Sequence, residues 1–159
     1  FDLPRFGGWW GHDKDTRFEM KSGFKPMEGA EGWQLSNVPI LGMAAMKASL
    51  EVFAEAGMAA LREKSEKLTG YLEYTIDALA AEFPAADIRM ITPRDPARRG
   101  CQISFDVAGR ERELFDSMIT AGLIVDYREP CIIRMAPVPL YNSYEDVFTF
   151  GKVMRELLA

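Results

Sequence analysis

The chain has 159 residues, of which 48% are hydrophobic and 27% are charged, as in an ordinary soluble globular protein of one domain or slightly more. Its net charge of -5 provides no basic field for a phosphate backbone, so we expect no nucleic-acid partner. No apolar run approaches the length of a membrane span, and the start at Phe1 has neither an initiator Met nor a signal peptide, so we expect a cytoplasmic piece of a longer chain without membrane contact.

The first predicted segment, residues 1–36, is an irregular arm that shows neither the period of a helix nor that of a strand. A long irregular segment is uncommon inside a compact domain unless it is functional. Its densest part is GGWWGHD at residues 7–13, where glycines allow close approach and an indole offers a flat face and one N–H donor to a ring or a phosphate. The alternative is that Trp9 and Trp10 fill a core or a subunit interface.

Residues 37–84 predict two linking helices. Ser36 or Asn37 can cap the first helix, and Pro39 suits its first turn. Gly57 allows a break, after which a long amphipathic helix continues until Pro84 stops it. We interpret the methionine-rich stripe of the first helix as core packing rather than as a cofactor site. The stripe consists of Met43, Met46, Leu50 and Phe53.

Residues 85–159 predict a small α/β domain in the order β-β-α-β-β-α, with the helices on one face of the sheet. Strands are predicted at residues 88–92, 101–107, 123–127 and 131–135, one helix around residues 114–119 that ends at Gly122, and another from Ser143. Asp146 completes a capping box with Ser143. The predicted fold class is therefore α/β: an irregular arm, a long helix and a layered ββαββα C-terminal domain.

Both cysteines, Cys101 and Cys131, fall in predicted buried strands. This placement favours inert reduced thiols over a disulfide or a metal site. Because His12 is the only histidine in the sequence, we expect no zinc site.

The last predicted strand carries one charge, Arg134, among apolar residues. A guanidinium in such a strand must find an anion or pay a large desolvation cost, so we expect a carboxylate as its partner. Pro137 and Pro139 then form a stiff elbow that ends the strand. The alternative is an edge strand from which the arginine head simply reaches water.

Five separated segments, taken together, resemble the C-terminal portion of the kynureninase family. They are GWWGH at residues 8–12, LSNVPIL at 35–41, LTGYLEY at 68–74, RGCQ at 99–102 and RMAPVPLYNS at 134–143. Their common order over nearly the whole chain makes the resemblance far more specific than any single motif.

The resemblance implies a pyridoxal-phosphate enzyme of the aspartate-aminotransferase fold type (fold type I), a homodimer with active sites at the subunit interface. Such an enzyme hydrolyses the Cβ–Cγ bond of L-kynurenine or 3-hydroxykynurenine, which gives anthranilate or 3-hydroxyanthranilate and L-alanine. The reaction belongs to tryptophan catabolism and NAD biosynthesis.

The resemblance also assigns roles to four residues. It implies that Trp9 and Asn37 contact the cofactor, that Ser36 and Asn37 lie near the aromatic ring of the substrate, and that Arg134 holds the amino-acid carboxylate. These roles agree with the chemistry of the side chains, since an indole N–H can donate to a phosphate oxygen and an arginine fork suits a planar carboxylate.

The Schiff-base lysine of the family lies upstream of the tryptophan motif, so we expect no catalytic residue in this chain and no activity from the chain alone. Lys14, Lys21 and Lys25 lie close to Trp9 in sequence, but their motif context is wrong for the Schiff-base lysine. Two alternatives remain. One is another pyridoxal-phosphate lyase, such as a cysteine desulfurase-like enzyme. The GWWGH and SN-x-P motifs argue against it. The other is a noncatalytic ββαββα interaction module.

Overall fold

The computed structural model describes residues 3–159, so the first two residues of the predicted arm lie outside the described part. The described chain divides into two units, one ending at Val52 and the other running from Phe53 to Ala159. The first contains the irregular segment and most of helix α1, Ile40–Ala56. The second contains α2 Met58–Glu82, β1 Ile88–Met90, β2 Ile103–Val107, α3 Glu111–Thr120, β3 Asp126–Arg128, β4 Ile132–Met135 and α4 Tyr144–Leu158.

The segment before α1 is irregular, as predicted. Within residues 3–36 the only helical turns are the short 3-10 segments Arg17–Glu19 and Gly29–Trp33. A single antiparallel bridge joins His12 to Pro26 and folds the segment back on itself. Helix α1 then begins directly after Pro39, the residue expected in its first turn.

Helix α1 is where the expectation of core packing was wrong. Three of the four stripe residues are exposed, with Met43 at 43%, Met46 at 55% and Leu50 at 61%, and Phe53 is half-buried. No residue of α1 is buried. A helical period identifies an apolar face, but it does not determine what covers that face. Within residues 3–159, no helix combines the length and the apolar character needed to cross a membrane.

Helix α2 follows α1 after a single residue, Gly57, whose φ of +77° is accessible to glycine at no steric cost. The helix ends at Glu82, just before Pro84, as predicted. Its buried apolar positions recur at helical spacing, and they are Leu61, Leu68, Leu72, Ile76 and Leu79.

The four strands of the second unit form one antiparallel sheet in the order β1-β2-β4-β3. The predicted β-β-α-β-β-α succession is confirmed. Ile103, Phe105 and Val107 of β2 are buried, whereas Ser104 and Asp106 are half-buried, which is the period of a strand with one face in the core. That face shares a single hydrophobic core with α2, α3 and α4.

The third strand is shorter than predicted because α3 ends in a Schellman motif. Gly122, at φ +86°, donates to the carbonyl of Ile119 at 3.0 Å, and Leu123 donates to that of Met118 at 2.9 Å. The chain is therefore still closing the helix at Leu123, and Ile124 is 95% exposed. Strand pairing begins only at Asp126, three residues later than expected.

The expected placement of the cysteines in strands was also wrong. Cys101 precedes β2 and Cys131 precedes β4, and both side chains are half-buried. Both are free cysteines. In the described part of the chain, no group of three or more His, Cys, Asp or Glu side chains could hold a metal ion.

Helix α4 begins with the predicted capping box. Asp146 accepts the backbone N–H of Ser143 at 2.7 Å, and this hydrogen bond lowers the pKa of the Asp146 carboxyl. Val147, Phe150 and Met154 then turn their side chains into the core.

The contact of α4 with α2 leaves no room for a side chain at Gly151. A Cβ at Gly151 would lie 2.8 Å from Cγ2 of Thr75, whose hydroxyl donates to the carbonyl of Tyr71 and resists rotation. We expect Gly151→Ala to lower the free energy of unfolding by about 1–3 kcal/mol, as overpacking does. Urea titration followed by circular dichroism measures the loss.

Gly70 provides the matched control, since it is exposed in α2 and a Cβ there meets nothing within 4 Å. Gly70→Ala should be neutral or stabilising by about 0.5–1 kcal/mol, because alanine loses less backbone entropy in a helix. Adding Thr75→Ser, which removes the clashing methyl group, should restore part of the Gly151→Ala loss. Equal effects of the two glycine changes would contradict the prediction.

Candidate functional site

The tryptophan motif and the segment that holds Ser36 are brought together by close backbone packing. A Cβ at Gly8 would lie 2.3 Å from the Cα of Leu35, and one at Gly11 would lie 2.8 Å from the carbonyl oxygen of Gln34. Only glycine allows two backbones to approach this closely. The glycines around the tryptophans, which the sequence singled out, therefore fix the motif against the residues just before Ser36.

A side-chain hydrogen bond completes this contact. The indole Nε1 of Trp10 donates to Oδ1 of Asn37, so Trp10 orients the amide of a predicted site residue. Sequence reasoning assigned no site role to Trp10. Ser36, which precedes Asn37, is exposed, and its backbone carbonyl accepts a hydrogen bond from the side chain of Gln34 at 3.2 Å. Three of the four predicted site residues thus lie in the first unit, on two segments that pack together.

Trp9 faces an open groove of about 660 Å³ in the same unit. Its ring packs edge-to-face on Phe18, with centroids 5.3 Å apart, and 42% of the residue is exposed. Among the described residues, the indole N–H of Trp9 has no hydrogen-bond partner, and neither has the Nδ2 group of Asn37. Trp10 is 41% exposed, so the alternative that both tryptophans fill a core is wrong within this unit. The groove has the size of a small-molecule site.

A buried arginine that the sequence did not reveal supports the tryptophan loop. Arg17 is only 8% exposed, and its Nη2 donates to the backbone carbonyls of His12 at 2.9 Å and Trp10 at 3.3 Å. The guanidinium carbon also lies 5.2 Å from the centre of the Trp10 ring, in cation–π geometry. No sequence period marks this residue, because its burial results from the folding of the irregular segment around it.

The three lysines near Trp9 all lie in exposed ion pairs. The pairs are Lys14 with Glu31 at 3.6 Å, Lys21 with Glu19 at 2.8 Å and Lys25 with Asp13 at 3.2 Å. The Thr16 hydroxyl, and then Lys25, hold the pKa of the Asp13 carboxyl below its usual value. A Schiff base requires a free amine in a desolvated setting, and these paired ammonium groups at the surface offer neither condition.

The fourth predicted site residue, Arg134, lies in β4 of the second unit. Because β4 is an interior strand of the sheet, the edge-strand alternative is wrong. The expected carboxylate partner is present within the chain: Nε of Arg134 donates to Oδ2 of Asp126 at 2.9 Å, and Nη2 contacts the same oxygen. Arg134, followed by Arg128, lowers the pKa of the Asp126 carboxyl. The Arg134 side chain keeps 28% of its surface exposed.

The elbow after Arg134 is held by two side chains that sequence reasoning also missed. Lys64 of α2 donates to the carbonyl of Pro139 at 2.7 Å, and Oδ1 of Asn142 accepts the backbone N–H of Val138 at 2.8 Å. These hydrogen bonds satisfy backbone groups that the two prolines leave outside the sheet ladder. The direction of the chain beyond β4 is thereby fixed against α2.

Comparisons with known proteins place these features in a family. A family model described as the kynureninase C-terminal domain matches residues 61–154. The chain is 56% identical over 153 residues to the kynureninase of Myxococcus xanthus (strain DK1622), which is 96% of this chain and 35% of that protein. It is 54% identical over 150 residues to the kynureninase of Koribacter versatilis (strain Ellin345), with 94% and 34% covered. The chain thus spans about a third of the length of these relatives.

Solved structures with a similar fold include enzymes of other activities. A cysteine desulfurase from Thermococcus onnurineus NA1 matches 98% of this chain and 39% of its own, with a TM-score of 0.72 and 21% identity. A mutant of the cystine C-S lyase C-DES, with glycine covalently linked to its pyridoxal-phosphate cofactor, matches 95% of this chain and 37% of its own, with a TM-score of 0.59 and 14% identity. At these identities the likeness establishes the fold alone.

The glycine contact at Leu35 predicts a local change that can be measured in this chain. Gly8→Ala should separate the tryptophan motif from the Asn37 segment, because the added Cβ overlaps backbone atoms that cannot rotate away. We expect the near-UV circular dichroism of the tryptophans to fall and amide exchange in residues 8–12 to accelerate severalfold, with little change in the second unit.

Gly42→Ala serves as the control, since a Cβ there meets only Pro39, at the ordinary contact distance of 3.7 Å. This change should leave both signals as they are in the unmodified chain. If Gly8→Ala also leaves them unchanged, the two segments are not held together by this contact.

Proposed function

The chain belongs to the kynureninase family through its C-terminal domain, and we propose that the protein carrying it hydrolyses the Cβ–Cγ bond of L-kynurenine or 3-hydroxykynurenine. The products are anthranilate or 3-hydroxyanthranilate and L-alanine, as in tryptophan catabolism and NAD biosynthesis. The observation that carries the proposal is Arg134, a half-exposed fork on an interior strand, which suits the carboxylate of an amino acid.

We propose pyridoxal phosphate as the cofactor, and the donors of the first unit fit it. The free indole N–H of Trp9 can donate to a phosphate oxygen, and the free Nδ2 of Asn37 is oriented by Trp10. The groove that Trp9 lines is large enough for a small-molecule cofactor. Bound pyridoxal phosphate would supply the electron sink for cleavage next to the amino-acid carbon.

The residues of this chain bind and orient in the proposed mechanism, and they take no part in covalent chemistry. Ser36 and Asn37 would contact the aromatic ring of the substrate, and Arg134 would bind its carboxylate through two parallel hydrogen bonds. Such a fork fixes the rotation of the substrate as well as its position, so the bond to be broken is held in one orientation. The Schiff-base lysine is proposed to lie in the part of the relatives that this chain does not span.

We also propose that the complete protein is a cytoplasmic homodimer. Support comes from α1, whose apolar side chains lie uncovered in the described chain, with Ile40 at 78% and Leu41 at 88% exposed. A surface of this kind is typical of a protein–protein interface.

The alternatives are less well supported. The cysteine desulfurase of Thermococcus onnurineus NA1 shares the fold at 21% identity, whereas the kynureninase of Myxococcus xanthus is 56% identical to this chain. The match of residues 61–154 to the kynureninase C-terminal domain supports a domain of an enzyme over a noncatalytic module.

The proposal predicts a difference between the complete polypeptide and this chain. With pyridoxal phosphate added, the complete polypeptide should release anthranilate from kynurenine, whereas this chain alone should release none, because it lacks the covalent anchor. Anthranilate fluorescence follows the reaction. Borohydride reduction and mass spectrometry of the chain should find no cofactor on Lys14, Lys21 or Lys25, and a stable adduct together with turnover would refute the proposed division of roles.

Arg134 gives the sharpest mutational test in the complete polypeptide. Arg134→Ala should lower kcat/KM for kynurenine by the equivalent of about 2–4 kcal/mol, the scale for truncating a buried charge pair, while the fold and the cofactor absorbance are kept. Arg134→Lys should lose much of the activity although it keeps the charge, because an ammonium cannot bind a carboxylate through a fork.

Arg89 is the matched control, since it is a sheet arginine paired with Asp106 across β1 and β2. Arg89→Ala should leave kcat/KM near that of the unmodified polypeptide. Normal kcat/KM in Arg134→Ala would remove the carboxylate role from this residue.

A further inference from the structure

We propose that Asp126 is a positioning residue for substrate recognition: it holds one edge of the Arg134 guanidinium so that the other edge faces the carboxylate of the substrate. This inference rests on the proposed function, in which Arg134 binds that carboxylate. It gives the ion pair between Asp126 and Arg134 a role in substrate binding.

The hydrogen bonds leave half of the fork available. Asp126 takes Nε and Nη2 of Arg134, both through its Oδ2 atom. A guanidinium has five N–H donors on two usable edges, so the edge that contains Nη1 remains. In the described part of the chain, no hydrogen bond engages Nη1. Because 28% of the side chain is exposed, a small carboxylate can reach this edge.

The sheet prevents Asp126 from moving away from Arg134. The two residues are direct cross-strand partners in the antiparallel β3–β4 pair, where opposed side chains lie within contact distance. On its other side Arg134 faces Ser104 of β2, which is too small to compete for the guanidinium. The backbone ladder therefore sets the position of the carboxylate, and the carboxylate sets the rotation of the guanidinium.

The local charge also favours an anionic ligand. Asp126 pairs with Arg128 as well, whose Nε lies 3.1 Å from Oδ2. Within this cluster of three side chains, two guanidinium groups face one carboxylate, which leaves one positive charge in excess. Asp126 thus orients Arg134 without neutralising the cluster.

A role for Asp126 as a competitor of the substrate predicts the opposite change in substrate binding. If Asp126 were an internal competitor that occupies the place of the substrate carboxylate, its removal would tighten substrate binding. If it positions the fork, its removal frees Arg134 to rotate, and binding weakens. The sign of the change in KM separates the two roles.

The experiment uses the complete polypeptide loaded with pyridoxal phosphate. Asp126→Asn should raise KM for kynurenine about tenfold, the scale of one hydrogen bond to a charged group, with kcat changed less than about twofold. Asp126→Glu should recover part of the loss. Kynuramine, which is kynurenine without its carboxylate, serves as a competitive probe, and its inhibition constant should be the same in Asp126→Asn and in the unmodified enzyme.

Asp106→Asn is the matched control, because Asp106 and Arg89 form the same direct cross-strand pair between β1 and β2, with Nε and Oδ1 3.4 Å apart. This variant should keep the KM of the unmodified enzyme. A readout that does not need activity comes from the chain labelled with 15N-arginine. In it, Asp126→Asn should speed the hydrogen exchange of the Arg134 Nε–H severalfold, and Asp106→Asn should not.

The outcomes separate this inference from the proposed function. If Arg134→Lys loses activity while Asp126→Asn keeps a normal KM, the positioning role is overturned and the proposed function stands. A lower KM in Asp126→Asn would make Asp126 a competitor, and an equal rise in Asp106→Asn would make the effect one of general sheet stability. Either result overturns the inference. A complete polypeptide that does not act on kynurenine overturns both proposals.

Discussion

The position of β4 as an interior strand is the constraint on which the second unit depends. Its buried residues Ile133 and Met135 lie in the core, and the period of two then places Arg134 on the opposite face. A slip of one residue would put the guanidinium into the core and expose both apolar side chains. Core burial therefore determines where the fork points, and the pairing with β3 places Asp126 beside it.

The elements that the sequence predicted well are those whose signals are local. The long stripe of α2, the alternation of β2 and the capping box at Ser143 all lie within one element, so the periods and the caps identify them directly. The prediction was wrong at β3 because the apolar residue Leu123 serves the end of α3 rather than a strand. It was wrong for α1 because no local pattern reports what covers an apolar face.

The features of the candidate site also divide into those with a local sequence signal and those without one. The glycines around the tryptophans were recognisable, since repeated glycines beside bulky rings indicate close backbone approach. The hydrogen bond from Trp10 to Asn37 was not, because its partners lie 27 residues apart. Arg17 was not either, because its burial depends on how an irregular segment without a period folds around it. Asp126 is an intermediate case. It lies eight residues before Arg134 in an antiparallel pair. The register depends on where β3 ends and β4 begins, at Arg128 and Ile132, and each of these bounds was predicted one residue too early.

The charge on Asp126 connects the fold to the proposed recognition of an amino acid. Hydrogen bonding to Arg134 lowers the pKa of the Asp126 carboxyl, so the group is ionised across the neutral range. Its contribution to stability is complete above the ordinary pKa of an aspartate and is lost as the pH falls through the lowered value of the folded state. Across the neutral range, where an amino-acid carboxylate is also ionised, Asp126 therefore keeps its ion pair with Arg134. In a chain of net charge -5, this cluster of two arginines and one aspartate gives an anionic ligand a local attraction.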